Sequence, residues 1–61
     1  MKIEEAIAWV REYCNFDSIN SIGKAIGYCD LKIVIIGRKY LPKKYQEDFI
    51  KIVTARKNRV V

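Results

Sequence analysis

Sixty-one residues, 51% hydrophobic and 31% charged, allow one small domain with a thin core; they are too apolar for a disordered tail and too mixed for a fibrous chain. The net charge of +5 divides unevenly, −1 over residues 1–36 and +6 over residues 37–61, which favours an anionic partner for the second half. The longest aliphatic run, Ile33-Val34-Ile35-Ile36, falls far short of the roughly 20 residues that span a bilayer, and the N-terminus lacks a signal-peptide layout, so a cytoplasmic protein without membrane contact is expected.

From Ile3 to Cys14 the apolar residues Ile3, Ala6, Ile7, Val10, Tyr13 and Cys14 recur at helical spacing, with Glu4, Glu5, Arg11 and Glu12 mostly between them. This is an amphipathic helix with carboxylates at its positive end and Asn15 as its closing cap; Trp9 belongs to its core or rim. Asp17 or Ser18 can cap a second helix, whose buried face is Ile19, Ile22 and Ile26 and which Gly27 ends in a tight turn.

Asp30 is placed to cap a third element. The β-branched run Ile33 to Ile36 and the pair Gly37-Arg38 also fit a hairpin over residues 31–41, so an α+β fold stands as the alternative to an all-helical one. If the element is a helix, Ile33 and Ile36 are its buried positions. Pro42 suits the first turn of the last helix, predicted from about Pro42 to about Arg56, with Tyr45, Phe49, Ile52 and Val53 on its inner face. The reading is a compact all-α bundle of four or five helices in a single domain over 1–56, followed by a basic tail over 57–61.

Composition argues against an enzyme. There is no His, one Pro and three Gly form no phosphate-cradling loop, and the seven carboxylates are scattered over polar faces. Cys14 and Cys29 cannot alone complete a zinc site and sit in apolar-flanked segments, so both are predicted to be buried, reduced packing residues. No cofactor, metal or small-molecule substrate is expected.

A short helix, a tight turn and a second short helix make a helix-turn-helix, in which Ile22-Gly23 supplies the small residue at the close crossing. In the stretch Ile22-Gly23-Lys24-Ala25-Ile26-Gly27-Tyr28 the chain resembles the lambda-repressor/Cro-type helix-turn-helix family, especially the short Cro-like repressors of phages and prophages. The resemblance covers about Ser18 to Ala55, with Leu41-Pro42 and Ile52-Val53-Thr54-Ala55 similar to the last helix of short members. It implies a homodimeric, DNA-binding transcriptional repressor whose second motif helix enters the major groove of double-stranded DNA. Carried over by position, Cys29, Asp30, Leu31, Lys32, Val34 and Ile35 take the base-reading or flanking places, and Ser18, Lys24, Arg38, Lys39, Lys43 and Lys44 the phosphate-binding ones.

The chain departs from the family on the reading face. Gln, Ser, Asn and Arg usually read base edges there, whereas here only Lys32 can donate to a base, and Leu31, Val34 and Ile35 offer contacts to thymine methyls alone. A second function class follows: a helix-turn-helix whose apolar face, Leu31, Val34 and Ile35 with Tyr40, binds a protein, in the manner of a phage-type inhibitor or antirepressor.

Overall fold

The computed structural model describes residues 1–60. Four helices follow one another: α1 (Ile3–Tyr13), α2 (Phe16–Ile26), α3 (Leu31–Ile35) and α4 (Lys43–Val60). No strand occurs among the described residues, so the all-α reading holds and the hairpin over 31–41 is corrected.

The inner face of α1 is set by its apolar spacing, and Ala6 and Val10 are fully buried. Its end differs from expectation. Cys14 is the closing residue, in extended backbone, and Asn15 instead opens α2 by accepting the Ser18 amide on Oδ1 at 2.9 Å. Neither Asp17 nor Ser18 caps, because Phe16 is already helical and only Asn15 has the extended backbone an N-cap needs. Ile19, Ile22 and Ile26 form the buried face of α2 as the spacing predicts.

Two glycines make the turn after α2. Gly27 stands in the left-handed region at φ 78°, which ends the helix. At Gly23 a Cβ would meet the Tyr28 carbonyl oxygen at 2.7 Å, and the Tyr28 amide donates to the Gly23 carbonyl at 2.8 Å. The chain therefore folds back onto the one residue of α2 that has no side chain.

That close approach sets the phase of α3. Leu31 Cβ lies 3.4 Å from where a Gly23 Cβ would stand, so Leu31 faces α2, and Val34 and Ile35 follow it into the core three and four residues on. The expectation that Ile33 and Ile36 are the buried pair is corrected: Ile33 is half-buried and Ile36 is exposed. β-Branched propensity yields here because helical spacing buries three apolar side chains at once. Gly37, at φ 89°, ends the helix rather than turning a hairpin.

On α4, Phe49 and Val53 are fully buried and Tyr45 and Ile52 partly so. The helix begins at Lys43, with the Tyr45 amide donating to the Pro42 carbonyl at 2.9 Å, and it continues to Val60 rather than stopping near Arg56. No Gly or Pro interrupts residues 56–60, and Lys57 and Arg59 complement the negative end of the dipole. The predicted tail over 57–61 is thus helical over 57–60, and Val61 lies outside the described residues. α4 packs against α1 and α2, while α3 packs against α1 and α2, closing one core. Arg11 ties α1 to the end of α3, its Nε donating to the Ile35 carbonyl at 2.8 Å. No described helix is long and apolar enough to cross a membrane.

Candidate nucleic-acid interface

The predicted base-reading set does not stay together. Leu31, Val34 and Ile35 are only 1%, 2% and 2% exposed, so they are core residues and reach neither a base nor a partner protein. Their removal from the surface corrects both uses made of them in the sequence. Cys29 is exposed, contrary to its expected burial, while Cys14 is half-buried, its thiol pushed up by burial and drawn partly back by Arg56. Asp30 sits at the start of α3 without a side-chain cap bond; its backbone carbonyl accepts the Ile33 and Val34 amides, and its carboxylate holds Lys39 Nζ at 2.9 Å. Lys32 remains exposed as the one cation on the open side of α3.

That open side has a different apolar content from the one expected. Phe16 of α2 is 65% exposed and Ile36 55%, and with Asn20, Lys32 and Ile33 they line a hollow of about 460 Å³. The all-apolar run from Ile33 to Ile36 concealed which members would face outward.

The predicted phosphate-binding cations gather more closely. Lys39 Nζ lies 5.8 Å from the ring centre of Tyr28, which packs at 4.9 Å on Tyr45, whose ring in turn has Lys44 Nζ at 5.0 Å. Two cations therefore bracket an aromatic pair that joins the α2–α3 turn to the first turn of α4. The hydrogen bond from Lys39 to Asp30, with the attraction of its charge, raises the lysine pKa above its ordinary value, so Lys39 stays cationic across the neutral range. Lys24 lines a second hollow with Tyr28 and Cys29, and Arg38 and Lys43 are exposed on either side of Leu41. Ser18 stands apart. It lies in the first turn of α2, at the opposite end of that helix from Lys24, and its amide is taken by Asn15.

In the sequence Tyr40 belongs to the expected apolar patch and to the alternative hairpin over residues 31–41. It is 92% exposed, in the middle of Arg38-Lys39-Tyr40-Leu41-Pro42-Lys43-Lys44, and its signal was the interleaving of an aromatic with cations rather than any periodicity. Beside it a groove of about 530 Å³ runs between α1 and the α3–α4 connection, with Ile7 in its wall and Arg38, Lys39 and Glu4 among its polar residues. Among the described residues no three His, Cys, Asp or Glu side chains converge as metal ligands.

Comparison with family models, with curated proteins and with solved structures returns no match for this chain.

Proposed function

We propose that the chain is a small DNA-binding regulator that grips the duplex backbone with the connection between α3 and α4 and the first turn of α4. The observation that carries this reading is the placement of Lys39 and Lys44 about the Tyr28–Tyr45 pair, with Arg38 and Lys43 exposed and, among the described residues, Lys39 alone of the four sharing its charge with a carboxylate, that of Asp30. Cations held on a rigid scaffold displace counterions from phosphates with less ordering cost than free side chains. The α2–α3 unit, with its glycine turn, is the part that resembles the Cro-like motif. Its capacity for base reading is small, because Lys32 is the one long donor on the open side of α3. Binding is therefore governed by phosphate contacts, with weak discrimination among sequences.

A second reading, binding of a protein, is favoured by one feature: the exposure of Phe16 and Ile36 around a single hollow. Fluorescence anisotropy on a random-sequence duplex separates the two. With about five phosphate contacts, affinity falls by about a hundredfold to a thousandfold between about 50 and about 200 mM salt. An absence of binding at the lowest salt, to duplex and to single strand alike, would reject the DNA reading and leave the Phe16–Ile36 face as the functional one.

A further inference from the structure

We infer that Tyr40 is a stacking platform for an unpaired base, and that the chain prefers single-stranded or locally opened DNA to closed duplex. The inference rests on the DNA-binding reading and names the form of DNA that the same surface takes.

Tyr40 contributes almost nothing to the core, since all but a small part of the residue is exposed. The backbone beneath it is nevertheless fixed on both sides. Before it, the Gly37 and Arg38 amides donate to the Val34 and Ile33 carbonyls at 3.0 and 3.1 Å. After it, Leu41 is buried at 2% exposure and its carbonyl accepts Gln46 Nε2 at 2.9 Å. A ring carried on a pinned backbone loses less freedom on stacking than one on a mobile loop.

The surroundings specify the ligand. Arg38 and Lys39 line the same groove as Tyr40, and Lys43 and Lys44 follow it within four residues along the chain, so a strand stacked on the ring meets a cation-rich segment. Every base offers a π-face, so this arrangement is tolerant of sequence, in keeping with the few donors on α3. In closed duplex the base faces are covered by their neighbours, and Tyr40 then has nothing to stack on. Glu4, which lines the adjoining groove, and the Asp30 carboxylate held by Lys39 are the anions beside this segment, against the exposed cations Arg38, Lys43 and Lys44.

The test compares a fluorescein-labelled oligothymidine of about 15 nucleotides, near the upper site size of a single-strand binding unit, with a duplex of equal length, for the wild type, Tyr40→Ala and Tyr40→Phe. Circular dichroism of each variant establishes that the fold is kept. The expected result is tighter wild-type binding to the single strand, a loss of about tenfold on that strand in Tyr40→Ala, no comparable loss on duplex, and retention in Tyr40→Phe. Unchanged single-strand affinity in Tyr40→Ala overturns the platform while leaving the cationic surface in place. Equal losses on both forms also overturn it, by making Tyr40 a contact to the backbone they share. If the wild type binds neither form, the DNA-binding reading falls and the platform with it.

Discussion

Phe49→Ala is expected to leave the chain largely unfolded at room temperature. Phe49 is fully buried and is the largest such side chain, on the helix that packs against both α1 and α2. Cutting a buried phenylalanine to alanine costs about 3–5 kcal/mol in lost transfer energy and residual cavity. A core of this size rarely supplies more than about 3–5 kcal/mol of net stability, so the loss consumes all or most of it. Thermal unfolding followed by circular dichroism reads the effect. A cooperative transition displaced by only a few degrees would show that α4 is not what closes this core.

Lys43→Glu combined with Lys44→Glu is expected to weaken duplex binding by about a hundredfold at low salt and to lower the slope of log affinity against log salt by about two. The pair lies in the first turn of α4, and its reversal takes the net charge from +5 to +1. Carboxylates complement the positive end of a helix, so the substitution does not weaken α4 through its dipole. Loss of the Lys44 ammonium above Tyr45 removes one cation–π contact at the surface, a small term beside the phosphate contacts. Unchanged affinity with an unchanged circular dichroism spectrum would remove both lysines from the interface.

The glycine turn and α4 were legible in the sequence because each rests on local chemistry. Gly27 adopts the left-handed conformation that its place after Ile26 predicts, Gly23 is crossed closely, and Phe49 and Val53 face inward at their helical spacing. The phase of α3 was not legible. From Leu31 to Ile36 every residue but Lys32 is apolar, so periodicity names no inner face, and the choice falls to long-range contacts: Leu31 on Gly23 and the Ile35 carbonyl on Arg11. The junction of α1 and α2 offered Asn15, Asp17 and Ser18 as neighbouring caps, and the extended backbone left by the end of α1 selects Asn15. The far end of α4 had no stop signal to read. For the interface, charge clustering marked Arg38, Lys39, Lys43 and Lys44, but the bracketing of Tyr28 and Tyr45 requires the turn and α4 to meet in space.

Amide chemical shifts of isotopically labelled protein, followed as DNA is added at low salt, test most directly that the basic connection is the binding surface. The expected result is a contiguous set of changes over residues 38–45, with Lys24 and Tyr28 beside them and the Phe16, Ile33 and Ile36 amides nearly still. Changes centred on Phe16, Ile33 and Ile36, or none at all, would contradict it.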